Sequence, residues 1–237
     1  MNTNISKSKI NFNNILGIAK YTFFSNRIIY LIEGIILGLS IILNLFISRF
    51  TRGVDLIPAI SIALTVNFFS HLVLFFHQLS KEYGRLLFLT PIKGIELIIG
   101  NFLEFFSCGL VIVFVSILCS GAAAGKYPSL LTSATLPILF GLSISYLILS
   151  AIIAIVNSYI SKTSIQVLIT IFACIVGKSI YGLLAKVILK PLPYVYMSIS
   201  GFYSAEIDIF SWILGAIAII ALQFLAAYHI DKKLDIV

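Results

Sequence analysis

Glu33, His71 and Glu104 are ionisable side chains inside apolar runs, where a charge is costly and is usually kept for binding or chemistry. Glu33 lies about five residues into one run and Glu104 about seven residues into another. Two carboxylates at such a depth can line a polar path or hold a cationic group. The plainer role for each is a hydrogen bond to a neighbouring helix, or a pairing with a base reaching in from the rim, such as Lys20 or Arg27. His71, Asn44, Asn67 and Asn101 are of the type that bonds one apolar helix to another. The candidate lining of a path is therefore Glu33, Glu104, His71 and Asn67.

Covalent chemistry finds little support. There is no Walker A loop, no GxSxG and no HExxH. The histidines His71, His77 and His229 form no pair at four-residue spacing around a carboxylate. Cys108, Cys119 and Cys174 are odd in number and lack ligand spacing, so they read as small buried hydrophobes. No catalytic residue and no metal ligand is assigned, and the chain is not expected to be an enzyme. An intramembrane enzyme would need a facing pair of polar catalysts, tested by alanine at Glu33, Glu104 and His71.

The elements that carry these residues follow from composition. Apolar residues make up 60% of the 237 and charged residues 11%, with a mean hydropathy of +1.10. Soluble domains carry about a quarter charged residues, so lipid must be the solvent for much of this surface. The net charge of +7 falls between the apolar runs, which fits cytoplasmic loops of a membrane protein better than a nucleic-acid surface. Apolar runs at 28–47, 57–79, 97–118, 134–157, 165–177 and 209–228 mostly approach the roughly 20 residues needed to cross about 30 Å of hydrocarbon. Ahead of them, Phe12, Ile15, Leu16, Ala19 and Phe23 recur at helical spacing, with Asn13, Asn14, Gly17 and Lys20 mostly on the other side. That pattern predicts an amphipathic helix over 10–24 lying in the headgroup plane. The stretch 178–208 is apolar but broken by Lys186, Lys190, Pro191, Pro193 and Gly201, and reads as a short re-entrant segment of one or two helices.

The expected fold is thus an all-α membrane protein. It has six transmembrane helices, an N-terminal amphipathic interfacial helix and a short re-entrant segment before the last helix. Residues 1–27 form a cytoplasmic tail with the entry helix, 28–228 the transmembrane domain, and 229–237 a cytoplasmic tail. With both termini inside, ten of the 16 Lys and Arg fall on the cytoplasmic side. Gly34 and Gly38 form a GxxxG match, a motif for close helix contact, here within or between subunits.

Between the second and third runs stands a polar stretch, Lys81-Glu82-Tyr83-Gly84-Arg85-Leu86-Leu87-Phe88-Leu89-Thr90-Pro91-Ile92-Lys93-Gly94-Ile95-Glu96. Tyr83, Leu86, Leu87 and Thr90 share one helical face. Thr90 can cap a helix whose first residue is Pro91, where the missing N–H costs nothing, and that helix can run on into the third span.

The order Glu82, Gly84, Leu86, Leu89, Thr90-Pro91-Ile92, then Glu96 and Gly100, resembles the first cytoplasmic loop of permease subunits of type-two ABC exporters. Asn101 departs from the resemblance, which leads one to expect a basic residue there. The resemblance implies a coupling helix in the loop 80–96 that docks on a cytoplasmic ABC ATPase subunit through Glu82, Tyr83, Gly84, Arg85, Leu87, Thr90 and Pro91. It further implies a second permease subunit, identical or related, in a bacterial cell membrane. ATP and magnesium would sit in the partner ATPase, with no cofactor on this chain. The substrate would be hydrophobic or amphipathic: a peptide, bacteriocin, drug or lipid-linked molecule. The rival expectation is a membrane scaffold or carrier that works without an ATPase.

Overall fold

Long runs with few charges have one stable form away from water, the α-helix, because it satisfies each backbone group within its own segment. The computed structural model follows this rule and describes residues 10–47, 57–79, 92–124, 128–160, 163–189, 196–199 and 205–234. Among them run seven helices: α1 Phe12–Ser25, α2 Arg27–Ile47, α3 Ile57–Leu79, α4 Gly94–Ala124, α5 Pro128–Tyr159, α6 Thr163–Leu189 and α7 Ile209–Leu234. A two-stranded antiparallel hairpin, β1 Tyr196–Ile199 and β2 Ala205–Asp208, pairs Tyr196 with Asp208 and Ile199 with Ala205.

Four stretches are long and apolar enough to cross a membrane: Ala59–Leu79, Gly94–Leu118, Thr135–Tyr159 and Trp212–Lys232. A fifth arises if α1 and the first part of α2 act as one span bent by 63°. Among the described residues, four or five stretches thus meet the length and hydropathy a span needs, and the expected six are not all seen. The fifth apolar run of the sequence is the shorter piece Ser164–Gly177 within α6.

Several boundaries differ from expectation for local reasons. Ile92 and Lys93 are not helical, so α4 begins at Gly94 and does not run on from Thr90 and Pro91. Lys93 precedes the helix and its N–H donates to Glu96 Oε2 at 3.2 Å, which is half of a capping box. Within the described part of 178–208, no short re-entrant helix is seen. Instead α6 continues to Leu189, and the strands occupy 196–199 and 205–208. Lys178 and Lys186 interrupt hydropathy, yet lysine is a good helix former, so the helix carries through to Leu189. The last helix also runs beyond its apolar run, through 229–234, where a tail was expected.

α3, α4 and α5 pack against one another, and α7 closes against α4 and α5. Phe75 and Phe105 are fully buried between them, and Tyr146 of α5 stacks on Phe105 with ring centroids 4.6 Å apart. A second cluster nearer the start of α3 joins Ile60, Leu64, Ile112 and Leu139, with Leu37 of α2. Large side chains such as Phe114, Phe172, Ile217 and Phe224 point outward, as lipid-facing positions should.

α1 is amphipathic but divides its apolar residues. Ile15, Ile18 and Thr22 are buried, while Phe12, Leu16 and Phe23 stay exposed. The helix packs on α4, where Gly100 permits close approach: a Cβ there would lie 2.8 Å from Ile18 Cβ and 3.0 Å from the Ile15 carbonyl oxygen. Gly34 and Gly38, by contrast, would meet nothing within 4 Å. Gly100→Ala is expected to lower stability by up to about 2 kcal/mol, what is left of an overpacking cost of roughly 1–3 kcal/mol after a helix-propensity gain of about 1 kcal/mol. Gly34→Ala should leave it unchanged or slightly raised. Unfolding in mixed detergent micelles measures both, and a Gly100→Ala protein at least as stable as wild type would refute the close α1–α4 contact.

Candidate functional site

Glu104 faces out of α4 into the seam with α2 and α3, and is almost fully buried. Unpaired, its charge would be strongly destabilising there. The structure supplies three donors. The Tyr30 hydroxyl of α2 donates to Oε1, His71 Nε2 of α3 pairs with Oε2, and the Cys108 thiol one turn along α4 donates to Oε1 at 3.5 Å. Tyr30 Oη also lies 2.9 Å from His71 Nε2.

The imidazole is fixed from its other side. His71 Nδ1 lies 2.6 Å from the Asn67 carbonyl oxygen, one turn back on α3. A carbonyl can only accept, so Nδ1 carries the hydrogen. Nε2 faces a carboxylate oxygen, and one proton lies between them. Placed on the ring or on the carboxyl, that proton leaves the His71–Glu104 pair with no net charge. The edge of the Phe105 ring packs against the imidazole, with centroids 5.4 Å apart.

A second layer lies one turn further along each helix. α3 runs antiparallel to α4, as the pairs His71–Glu104 and Asn67–Phe105 require. Tyr30 meets Glu104 while Leu37 joins Leu64 and Ile112, so going from Tyr30 to Glu33 on α2 corresponds to going from His71 to Asn67 on α3 and from Glu104 to Cys108 on α4. Asn67 Nδ2 donates to the Phe105 carbonyl at 3.3 Å, which orients the amide and leaves Oδ1 buried with no partner. Glu33 is only 3% exposed and its Oε1 is likewise buried without a partner. Glu33 is within electrostatic reach of His71, Glu104 and Cys108.

The four residues named from sequence as a candidate lining are thus brought into one seam. The bases Lys20 and Arg27 are not the partners of Glu104. Asn101 joins helices as its type suggested: its Oδ1 accepts from the Thr22 hydroxyl at 3.1 Å, and Gln78 Nε2 donates to that hydroxyl at 3.3 Å. Tyr30 went unnamed in the sequence, and Cys108, read there as a small buried hydrophobe, instead donates its thiol to Glu104. Their spacing of three residues from Glu33 and four from Glu104 was the available signal. The residues expected to meet an ATPase, Glu82, Tyr83, Gly84, Arg85, Leu87, Thr90 and Pro91, lie outside the described residues, as does the side chain of Asn44.

Glu96, read from sequence as part of the polar loop, is buried to within 1%. Its Oε1 accepts the Asn11 N–H at 2.7 Å and its Oε2 the Asn14 Nδ2 at 2.8 Å. It therefore clamps the start of α1 to the start of α4. The Gly94 N–H donates to Asp231 Oδ1 of α7 at 2.5 Å, a carboxylate placed at the positive end of the α4 dipole. A Cβ at Gly94 would come within 2.6 Å of the Ala227 carbonyl oxygen, so α7 passes directly over this point.

A groove of about 540 Å³ opens between α2 and α3, walled mainly by apolar side chains such as Ile29, Ile32, Phe69 and Val73. Among the described residues no group of three His, Cys, Asp or Glu is arranged to hold a metal ion.

The apolar helices and the buried polar seam define a multi-pass helical membrane protein. Comparison with protein-family models, curated proteins and solved structures yields no match for the chain.

His71→Leu should destabilise by about 3–5 kcal/mol, because it strands the Glu104 charge. His71→Leu with Glu104→Leu should cost less than the two single changes added, by about 1–3 kcal/mol. A double-mutant cycle of unfolding in micelles reads the coupling, and strict additivity would show that the pair is not formed.

Proposed function

We propose that this chain is the membrane-spanning permease subunit of a type-two ABC exporter that moves a hydrophobic or amphipathic substrate. The resemblance of Glu82 to Gly100 to the coupling loop of that class is the starting point. The observation that carries the reading furthest is the junction built directly behind that loop. Pro91 is followed within five residues by Gly94 and Glu96, which tie α4 to α7 and to α1. Force entering at the loop would reach three helices at once. A helix of 31 residues, α4, would then carry it rigidly along the bundle to Glu104. The apolar groove between α2 and α3 has the character an amphipathic substrate would need. In this reading ATP and magnesium belong to a separate ATPase, a second permease subunit completes the path, and both termini face the cytoplasm.

The buried Tyr30–His71–Glu104 group favours a second reading, a carrier that needs no ATPase, since ionisable groups of this kind often serve ion-coupled transport. Purification of the tagged chain from its native host decides between them. The exporter reading expects a Walker A ATPase to be retained, and retention to fall roughly tenfold or more, or about 1.4 kcal/mol or more of binding, on Glu82→Ala. It fails if no ATPase is retained and substitutions at Glu82 and Gly84 leave the cellular phenotype intact. Glu96→Ala should keep the ATPase bound while lowering substrate-stimulated ATP turnover, because it loosens the junction and leaves the docking residues in place.

A further inference from the structure

The protons of the seam can be counted from its hydrogen bonds. Glu104 receives the Tyr30 hydroxyl, the Cys108 thiol and the proton it shares with His71. His71 spends its other N–H on the Asn67 carbonyl. That pair is neutral, so no positive charge remains to match a second carboxylate. Glu33 is nevertheless there, buried, with Oε1 unpartnered. In the same layer Asn67 Oδ1 is also a buried acceptor lacking a donor, held in that orientation by the bond from Nδ2 to Phe105. Two orphan acceptors at one level of three packed helices call for one hydrogen between them.

We propose that Glu33 is a proton-binding site within the membrane: it holds a proton as the neutral acid, with Asn67 Oδ1 as the acceptor in its layer. Binding converts the carboxylate to a carboxyl group, and the added hydrogen is the donor that Asn67 lacks. Release leaves two carboxylates, Glu33 and Glu104, against one imidazole, and repulsion then acts between α2 and α4. The groups facing Glu33 are His71 from α3, and Glu104 and Cys108 from α4. Tyr30 is one turn away on α2 itself, and Phe23 of α1 stacks on Tyr30. Tyr146 of α5 lies within reach of Glu104 on the far side. The inference does not depend on whether an ATPase drives the chain, since it concerns occupancy of Glu33 alone.

The test uses the purified full chain in phosphatidylcholine nanodiscs, with protons as the only probe and choline chloride as the salt. Infrared spectra are recorded from about pH 5 to about pH 9, a range that brackets ordinary histidine titration. The wild type is expected to show a protonated-carboxyl stretch at neutral pH. Glu33→Gln should remove it, and Asn67→Ala should shift it to higher frequency by taking away the acceptor. Should Glu33→Gln fail to fold, the Asn67→Ala shift carries the assignment. A wild type with no protonated-carboxyl band at neutral pH overturns the proposal, as does a folded Glu33→Gln protein that retains the whole of the band. Loss of the wild-type band when sodium replaces choline at constant pH also overturns it, because the site would then be one for a metal cation.

Discussion

Charge neutrality in the seam between α2, α3 and α4 is the constraint on which the bundle depends. A carboxylate inside a low-dielectric region costs far more than any single contact returns, unless a counter-charge and hydrogen bonds meet it there. Glu104 is met from both neighbouring helices, by Tyr30 and His71. This matters most for α2, whose outer face is open: Ile28, Leu31, Ile35, Leu39 and Ile42 are exposed, and Leu37 is its member of the buried apolar clusters. Apolar contact does little to hold a helix against its neighbours when lipid is equally apolar, so the polar seam is the main reason α2 has a fixed seat.

The same cost explains what could be read in advance. An ionisable residue in an apolar run stands out because few are tolerated, and Glu33, His71 and Glu104 were visible for that reason. Their partnership was not. Which helices are neighbours is a tertiary fact, and spacing along one helix could not say that His71 would turn to Glu104 while Lys20 would not. Glu96 was hidden differently: a carboxylate in a polar stretch reads as solvated, and only the fold of α1 across α4 buries it. Helix limits were misread where hydropathy and helicity part company. Lys178 ends an apolar run but not a helix, and Gly94 starts one because Lys93 and Glu96 close its cap. The GxxxG of α2 was legible as a motif, yet Gly34 and Gly38 meet nothing within 4 Å, while Gly94 and Gly100 on α4 sit in close contact with neighbouring helices.

α4 belongs to both polar assemblies. Glu96 at its start and Glu104 further along are eight residues apart, about 12 Å at the usual helical rise, so they are parts of one rigid rod. Between them Asn101 bonds to Thr22 of α1, adding a third polar tie on the same helix. α1 is thus fastened at its start by Glu96 and near its end by Thr22, and the bend at Asn26 turns the chain into α2.

That fastening has a consequence for how the chain is built. Asn11 and its partner Glu96 are 85 residues apart in sequence. During synthesis α1 emerges ahead of α4, so the carboxylate that anchors it and the glycine groove that receives it come only after α2 and α3 have been made. Until then its buried stripe of Ile15, Ile18 and Thr22 has no protein to rest on, and the membrane surface is the available shelter for an amphipathic helix of this kind. α1 is therefore made early and seated late. Its docking reports that α4 has arrived in place.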